Sequence, residues 1–487
     1  MSVKNGDELE LEISGYAYEG KGISKVQKKV IKPGSTTNSE SELPNYVVFV
    51  NGSYPGDKVQ AKLRKIKNSY SEAKLIDIIK PSEFRVQPRC KYFGTCGGCK
   101  QQDLNYEMQL NYKQQQVKEI FEHIGRLTGF EIEDILPSEN IFFYRNKMEY
   151  SFADKRWLTE DELSTNTIAD RNFALGLHIP RVFDKVLDID ECYLQSETSN
   201  KIIIFTRDFF KNKHSSIYST KTHRGYLRNL VIRQSQCTDD LMVNIVTSKE
   251  DDDLMNDYSI ALQKELPETT TIINNINLKK ASVAIGDYEK VLYGSGVIYD
   301  KVGDYKFRIS ANSFFQTNTL QAENLYKTAL DFAEFKGNET VYDLYSGAGT
   351  IAIYMSNSVK KVYGFESVKI SVQDAIENAK LNNVGNVDIV SANLYKSFLP
   401  IVEKENIPKP EVIVIDPPRS GMHKNTVADV VKLNPEKIVY VSCNPATQVR
   451  DIRMMVDTGY KLVKIRPVDM FPHTFHIENV ALLIRGN

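Results

Sequence analysis

The sequence predicts three domains: an N-terminal OB-like β-barrel, a central α+β domain with a cysteine cluster, and a C-terminal α/β Rossmann-like domain. Three observations support this prediction. Short strand-like runs with glycine turns fill residues 1–81, three cysteines stand within ten residues just after them, and residues 311–487 alternate apolar runs with helical stretches. Residues 82–310, between these regions, are rich in β-forming residues. A chain of 487 residues is long enough for three separate cores.

The composition excludes few classes of function. The chain is 41% hydrophobic and 26% charged, with a net charge of -1, which is ordinary for a protein with a buried core. Only a local basic patch could indicate nucleic acid, because the overall charge is close to zero. No apolar run approaches the roughly 18 residues needed to span a membrane, and the polar N-terminus lacks a signal-peptide core. We therefore expect a cytoplasmic protein that does not contact a membrane.

The N-terminal region has the turn signals of a small barrel, such as NGSYPGD, and residues 25–45 are predicted to form a loop within it. One part of this region is strongly basic and also contains Tyr70. Its basic residues are Lys58, Lys62, Arg64, Lys65, Lys67 and Lys74. A basic strand with an aromatic suits a phosphate backbone and an unstacked base. The alternative is a solvated edge strand protected by lysines.

Three clustered cysteines are candidate metal ligands. Cys90, Cys96 and Cys99 have the spacing C-x5-C-x2-C. Clustered cysteines in a cytoplasmic protein suggest a metal site or catalysis more than disulfides. With a fourth thiolate, such a set can bind either zinc or an iron–sulfur cluster. Residues 103–127, after the cluster, have the apolar spacing of a helix.

The C-terminal region has the signature of a nucleoside-binding sheet. The strand run VYDLY is followed by a turn with Gly347 and Gly349, which allow a ligand to approach the backbone. Glu366 ends the next strand run, where it can accept hydrogen bonds from ribose hydroxyls, and Asn393 follows the third, near an adenine edge. An adenosyl cofactor is predicted. NAD is the competitor, because Ala352 occupies the position of the third small residue in a dinucleotide motif.

Three further residues at predicted strand ends are candidates for chemistry. Asp416, in IDPPRSG, is a carboxylate on a proline-stiffened turn that can bind a polar ligand edge, unless it is merely a loop acid. Cys443, in VSCNP, is either a nucleophile or a small buried thiol. Glu478, in HIENV, is either a general base or a surface acid.

Together, these motifs closely resemble those of the RNA (uracil-5-)-methyltransferases. The similar segments are VYDLYSGAGT, SFFQTN, IDPPRSG, VYVSCNP, FPHTFHIENV and the cysteine segment RCKYFGTCGGCKQQDLNYEMQLNYK, and they cover nearly the whole chain. The resemblance implies that Cys443 is the nucleophile and Glu478 the base that abstracts a proton. The residues that it implies contact S-adenosylmethionine are Gln316, Tyr345, Glu366 and Asp416. Members often have Asp where Asn393 stands.

The same resemblance implies further properties. The N-terminal barrel looks like an RNA-binding TRAM domain, and Cys90, Cys96, Cys99 and Cys192 match the ligands of a 4Fe–4S cluster in some members. The helix within residues 103–127 is expected to pack on the methyltransferase domain. The cluster and the TRAM domain favour 23S rRNA as the substrate, because the tRNA-specific branch typically lacks both. A monomer is expected, since each chain has a whole site.

The chemistry of that family accounts for the residue types. Carbon 5 of uracil is a poor nucleophile, and addition of a thiolate at carbon 6 makes an enolate that attacks a methyl group through carbon 5. A base then removes the proton from carbon 5 so that the thiolate can leave.

The alternatives are a tRNA uracil methyltransferase, a cytosine or exocyclic-amine methyltransferase on the same sheet, and a catalytically idle RNA-binding or iron-sensing protein. An amine methyltransferase needs no cysteine, and product analysis separates cytosine from uracil.

Overall fold

The structure is a computed structural model that describes residues 4–31, 40–165, 171–180, 182–280 and 283–486. The chain forms two compact units. The first consists of Met1–Lys91, Cys99–Glu119 and His473–His476, and the second of Tyr92–Gly98, Ile120–Pro472 and Ile477–Asn487. These units divide the chain differently from the three predicted domains, whose boundaries stay a prediction. Within the described ranges, no helix is both long and apolar enough to cross a bilayer.

The first unit contains a six-stranded sheet with the order β1-β5-β6-β4-β3-β2. Its strands are β1 (Glu8–Glu12), β2 (Gly15–Ala17), β3 (Lys21–Ile31), β4 (Glu40–Asn51), β5 (Lys58–Ile66) and β6 (Tyr70–Lys80). Neighbouring strands are antiparallel except for β4 and β6, which are parallel. Alternate side chains of β1 and β5 are buried, as the period of a strand requires. Val48, Val59 and Leu63 are fully buried in the resulting core.

The prediction of a loop over residues 25–45 was wrong. Strand β3 continues to Ile31 and β4 begins at Glu40, and the two pair antiparallel as far as Ile31 and Glu40. The sequence run KVQKKVI lacks the regular apolar–polar alternation that predicts a strand, so its pairing was not recognised from the sequence. Residues 32–39 of the predicted loop lie outside the described residues.

A buried arginine ties the sheet of the first unit to the segment that follows it. Arg85 makes ion pairs with Asp57 and Asp103, and its guanidinium lies 4.6 Å from the ring centroid of Tyr54. Helix α1 (Tyr106–Glu119) belongs to the same unit. These charged groups are mostly shielded from water. The positive charge of Arg85 therefore offsets the cost of burying the Asp57 and Asp103 carboxylates.

The second unit contains an eight-stranded mixed sheet, with the order β15-β14-β13-β12-β8-β10-β11-β9, and a separate hairpin of β16 and β17. The strands from this part of the chain are β7 (Glu131–Ile132), β8 (Lys147–Ala153), β9 (Arg156–Trp157), β10 (Ala174–Ile179), β11 (Val182–Asp188), β12 (Leu227–Gln234), β13 (Leu241–Thr247), β14 (Thr271–Ile276), β15 (Tyr288–Tyr293), β16 (Val297–Val302) and β17 (Tyr305–Ser310). The helices are α2 (Glu160–Thr165), α3 (Glu197–Asn212) and α4 (Asp252–Glu265). The central strands β13 and β14 are buried at every position. Their sequences are therefore rich in apolar and amide residues and do not alternate between apolar and polar residues.

The C-terminal part of the second unit has the doubly wound sheet that the sequence predicts. Its strands are β18 (Thr340–Leu344), β19 (Lys361–Glu366), β20 (Val387–Ser391), β21 (Val412–Ile415), β22 (Lys437–Ser442), β23 (Tyr460–Val468) and β24 (Glu478–Arg485). Its helices are α5 (Thr319–Ala333), α6 (Thr350–Met355), α7 (Lys369–Leu381), α8 (Leu399–Lys404), α9 (Lys424–Leu433) and α10 (Pro445–Val456). The order is β20-β19-β18-β21-β22-β24-β23-β7, with β18 to β22 parallel and β24 antiparallel to both of its neighbours.

This strand order determines where a ligand can bind. The order reverses between β18 and β21, and open α/β sheets bind ligands at the carboxyl ends of the strands beside such a point. Because β24 is antiparallel, its first residues lie at that same edge. The edge therefore collects the residues that follow β18 to β22 and the residue that begins β24.

Two short elements before the central sheet also belong to the second unit. A π-helical turn, Ile120–Ile124, packs against α10, and Phe121 is fully buried. Gly125 has no room for a side chain, because an added Cβ would lie 2.2 Å from a methyl carbon of Val449 on α10. Strand β7 then pairs parallel with β23 at the edge of the C-terminal sheet.

Candidate active site

The register of two antiparallel strands brings Cys443 and Glu478 together. Ser442, the last residue of β22, pairs with Asn479 of β24, and Cys443 and Glu478 are the residues that adjoin this last pair. After burial, the charge of Glu478 raises the pKa of the Cys443 thiol, so the two groups are close in space. A thiol and a carboxyl from distant parts of the sequence are therefore neighbours.

The surroundings of Cys443 and Glu478 disfavour negative charge. Burial raises the pKa of the Cys443 thiol to about 12, and the nearby Glu478 and Asp416 carboxyls raise it further. Burial also raises the pKa of Glu478 well above its ordinary value, since this side chain is only 5% exposed. Burial raises the pKa of Asp416, after the end of β21, to about 7. Three acidic groups with raised pKa values thus lie near one another, as catalytic groups often do; Glu478 is buried, and Asp416 and Cys443 are partly exposed.

Arg419, which lies in the loop after Asp416, is the cation that offsets these acids. Its charge lowers the pKa of both Cys443 and Glu478. The side chain of Asn444 donates to the Arg419 carbonyl (3.1 Å) and also caps α10 through the main-chain N–H of Ala446. The loop that bears the arginine is therefore fastened to the loop that bears the thiol. Arg419 is part of the IDPPRSG motif, but the motif by itself predicted no role for it.

A second overlooked group, Asp451, holds the same loop from α10. Its fully buried carboxylate accepts hydrogen bonds from the Tyr440 hydroxyl (2.7 Å) and the main-chain N–H of Met422 (2.8 Å). Because Tyr440 is in β22 and Met422 ends the loop after β21, one carboxylate links two of the strands that flank the site. An acid in the middle of a helix gives no such signal in the sequence.

The glycine turn after β18 is built to admit a ligand. Gly347 has φ +56° and nothing lies within 4 Å of the place where a Cβ would be. Glu366 at the end of β19 accepts hydrogen bonds from the main-chain N–H groups of Gly347 (3.0 Å) and Val368 (2.7 Å). Tyr345 also has a positive φ, of 67°, which is costly for a tyrosine and typical of functional sites. Burial raises the pKa of its hydroxyl, which lies near Thr426.

The remaining predicted cofactor contacts differ in how firmly they are held. The Gln316 carbonyl accepts a hydrogen bond from the side chain of the buried Asn146 (2.7 Å), whose main-chain N–H donates to Thr317 (2.8 Å). Asn393, after β20, is exposed, and its side-chain oxygen accepts from the main-chain N–H of Tyr395 (3.0 Å). Gln316 is thus anchored through its backbone, and Asn393 shapes its own turn.

Comparison with known proteins agrees with this geometry. The model of the tRNA (Uracil-5-)-methyltransferase family matches residues 229–486, and the model of the TRAM domain matches residues 2–76. The chain belongs to the RNA uracil-5 methyltransferase family. Both the predicted family and the predicted N-terminal and C-terminal folds are thereby confirmed.

Relatives match over almost the full length of the chain. An uncharacterized RNA methyltransferase of Chlorobaculum tepidum is 42% identical, covering 99% of this chain and 97% of the relative. One of Bacteroides thetaiotaomicron is 40% identical, covering 96% and 99%. The crystal structure of the Pyrococcus abyssi tRNA (uracil-54, C5)-methyltransferase, in complex with S-adenosyl-L-homocysteine, is similar with a TM-score of 0.73 and 28% identity, covering 98% of this chain and 100% of that one.

Two of the predicted metal ligands lie in the second unit. Tyr150 is fully buried, and burial is the main cause that raises the pKa of its hydroxyl. The charges of Cys192 and Cys96 also raise this pKa. Both thiols are therefore near one buried side chain. The main-chain N–H of Gly98 donates to the Cys96 sulfur (3.4 Å), a contact that would stabilise a thiolate.

The other two predicted ligands lie in the first unit, where Gln102 contacts both of their residues. Its side-chain N–H donates to the Cys99 sulfur (3.2 Å), and its side-chain oxygen accepts from the main-chain N–H of Cys90 (3.1 Å). Across the residues that the structure describes, no three His, Cys, Asp or Glu side chains are grouped so as to hold a metal ion. The four thiols fit a cluster in number and chemistry, and the cluster itself stays a prediction.

Proposed function

We propose that this protein transfers the methyl group of S-adenosylmethionine to carbon 5 of a uridine in RNA through a covalent bond between Cys443 and carbon 6. The observation that carries the proposal is that Cys443 and Glu478 adjoin the last pair of β22 and β24, near Asp416, at the ligand-binding edge of the sheet. A nucleophile and a separate base close together are what this reaction needs.

The methyl donor would occupy the edge formed by β18, β19 and β20. The open space at Gly347 accommodates its close approach. Glu366 would accept hydrogen bonds from its ribose through Oε2, which among the described residues accepts only from the main-chain N–H of Gly347. The Oε1 atom of Glu366 already accepts from Ser367 and Val368. S-adenosylmethionine supplies an electrophilic methyl group on a sulfonium sulfur. Gln316 and Tyr345 would complete the contacts from the loops before α5 and after β18.

The protein's own groups divide the proton transfers. Cys443 must lose its proton before its sulfur bonds to carbon 6, and Asp416, which is half-buried and has a pKa near neutrality, can pass that proton to water. After carbon 5 has gained the methyl group, Glu478 removes the proton from carbon 5. The electrons of that C–H bond re-form the ring double bond as the bond between sulfur and carbon 6 breaks. Burial makes the Glu478 carboxylate a stronger base than an exposed one.

The RNA substrate is proposed to be 23S rRNA. The support is the sequence resemblance, in which the TRAM domain accompanies the four cysteines, and the match of the TRAM model to residues 2–76. A tRNA is the second candidate, because the similar crystal structure is that of a tRNA (uracil-54, C5)-methyltransferase. The proposed 4Fe–4S cluster, bound by Cys90, Cys96, Cys99 and Cys192, has no step in the reaction and would serve to order its own segment or to hold RNA. We propose that the protein acts as a monomer, since the site residues all come from one unit of one chain.

The test is methyl transfer from labelled S-adenosylmethionine to unmodified 23S rRNA and to tRNA, followed by nucleoside analysis. We expect 5-methyluridine in rRNA, and none with Cys443→Ala. Cys237→Ala is the matched control, because Cys237 is an exposed thiol between β12 and β13, in another sheet than the candidate site, and its loss should not affect turnover. Label in tRNA alone would move the substrate to tRNA, and label in 5-methylcytidine or in an exocyclic amine would refute uracil methylation. No label in either RNA with protein that contains its cluster would support the idle binding protein.

A further inference from the structure

A cleft in the second unit is not part of the candidate active site. It is a surface cleft lined by residues of β8, β10, β11 and β12 and of the loop that precedes β12. None of the proposed catalytic or cofactor-binding residues lines it.

Two lysines in the cleft converge on one carboxylate. The Lys221 ammonium lies 2.8 Å from an oxygen of Asp184, and the Lys155 ammonium lies 3.7 Å from the same oxygen. The three groups together have a net positive charge. Each ammonium has three N–H donors, so donors remain for an anion that binds between the two lysines.

An aromatic ring backed by a guanidinium also lines the cleft. The Arg228 guanidinium lies 3.7 Å from the ring centroid of Tyr218, and Arg228 itself is only 7% exposed. A side-chain N–H of Arg228 donates to the Lys279 carbonyl (2.5 Å), which holds the guanidinium in place. A tyrosine held rigidly in this way is a stacking surface for a nucleobase, and stacking tolerates any base.

The segment that contains the loop lining the cleft has several basic residues and no acidic ones. No Asp or Glu occurs in residues 209–238, in a chain whose net charge is -1. The basic residues of that segment are Lys211, Lys213, His214, Lys221, His223, Arg224, Arg228 and Arg233. Residues 211–214 and 220–224 are exposed. Arg228 and Arg233 are buried, and Lys213 and Lys221 are paired with Asp257 and Asp184, so the exposed residues 220–224 are the part of this segment that faces solvent beside the cleft. An exposed basic loop on a nearly neutral protein suits contact with a nucleic-acid backbone.

We infer that this cleft is a second RNA-binding subsite, in which Lys155 and Lys221 bind a phosphate and Tyr218 stacks on a base of the substrate RNA away from the target uridine. The inference rests on the proposed function in one respect, that the substrate is RNA. The plainer explanation is that the ion pairs only fasten the loop to the sheet. Such exposed pairs contribute about 0–1 kcal/mol, and they require neither an open cleft nor a supported aromatic ring.

The test measures RNA affinity at several salt concentrations for three variants. The first is Lys155→Ala with Lys221→Ala and Asp184→Asn, which removes both cations without leaving a lone carboxylate. The second is Tyr218→Leu. The matched control is Lys213→Ala, which lies in the same basic segment and has its own ion pair with Asp257 (2.7 Å), but does not line the cleft.

We expect the triple variant to bind RNA more weakly, with a salt slope smaller by about 0.9 for each lost phosphate contact. Tyr218→Leu should lose roughly 5- to 150-fold in affinity, the range for one stacked base. Turnover at saturating RNA should be unchanged, and the control should bind as the wild type does. Wild-type affinity and salt slope in both cleft variants, with melting temperatures like that of the wild type, would refute the subsite.

A second measurement does not depend on catalysis. Cross-linking of Cys443→Ala protein to RNA that contains 4-thiouridine should label the peptide with Tyr218. The label should be absent from the double variant that carries both Cys443→Ala and Tyr218→Leu. The absence of that label from an otherwise cross-linked protein would also overturn the subsite. Failure of the proposed function has a different signature, since wild-type protein would then form no 5-methyluridine even if the cleft binds RNA.

Discussion

The rate at which Cys443 reacts with an alkylating agent depends directly on the electrostatics of the site. Burial and the two nearby carboxyls raise the pKa of Cys443 from its ordinary value of 9.0 to about 12. At pH 8 the thiolate fraction is then roughly 10⁻⁴, about a thousandfold below that of an ordinary thiol. A more basic thiolate is also more nucleophilic, with a Brønsted coefficient of about 0.4–0.5, which restores roughly 20-fold. The free enzyme should therefore be alkylated roughly 50-fold more slowly than an ordinary accessible thiol.

The assay follows the Cys443 peptide by mass spectrometry after timed treatment with iodoacetamide between pH 7 and pH 10. We expect the rate to rise about tenfold per pH unit with no plateau in this range, because the thiol stays mostly protonated throughout. The Cys237 peptide in the same digests is the internal reference, since Cys237 is exposed, although burial and Asp300 also raise the pKa of its thiol.

Substitutions of the neighbouring charges should change the rate in opposite directions. Glu478→Gln and Asp416→Asn each remove a group that raises the pKa of Cys443, so alkylation should become faster at a given pH. Arg419→Ala removes a cation that lowers this pKa, so alkylation should become slower. Glu478→Gln should at the same time accumulate the covalent RNA adduct and release it slowly. A wild-type plateau near neutral pH, or the opposite order of the variants, would refute this account of the site.

Three further changes test other parts of the structure. Asn146→Ala removes the hydrogen bond to the Gln316 carbonyl, so the KM for S-adenosylmethionine should rise several-fold more than kcat falls, as measured by steady-state kinetics. Burial raises the pKa of Asp343 to about 7, so the folded state resists its ionisation and the free energy of unfolding of the wild type should fall as pH rises from about 4 to 7. Asp343→Asn should therefore be more stable than the wild type at pH 8, by at most about 4 kcal/mol, and gain nothing at pH 4, as urea unfolding would show. Arg64→Ala should weaken RNA binding more than Lys62→Ala in a filter-binding titration, because Lys62 already makes an ion pair with Glu8 (2.9 Å); equal losses would contradict this.

The lysine-rich strand shows what a sequence pattern leaves out. The basic run in β5 was visible in the sequence, but Lys58, Lys62 and Lys65 make ion pairs with Glu10, Glu8 and Glu72 on neighbouring strands. Those partners lie up to 54 residues away in sequence. The positive charge of this face is thus partly neutralised by pairing that only the sheet order creates, and RNA binding there stays a prediction.

The positions of the site residues followed from local sequence signals. Tyr345, Glu366, Asn393, Asp416 and Cys443 each stood at or just after the end of an apolar run, and parallel strands separated by helices must all end at one edge, so the convergence of these residues could be predicted from the sequence. That reasoning did not extend to the antiparallel β24, which begins with Glu478. The same reasoning could not identify Asp343, whose carboxyl is fully buried and accepts a hydrogen bond from Ser346 (2.6 Å). A single acid inside a strand run does not reveal whether it is buried.

The order of amino acids alone was enough to identify the family, the parallel C-terminal sheet and the residue types that the chemistry needs, because these depend on short segments and their spacing. The tertiary structure added the register between β22 and β24, which brings Cys443 close to Glu478, and the cleft beneath the loop before β12. It also revealed Arg419 as the counter-charge to both acids. Contacts of this kind join residues that are far apart in the chain, and burial changes their acidity only once the rest of the fold has excluded water.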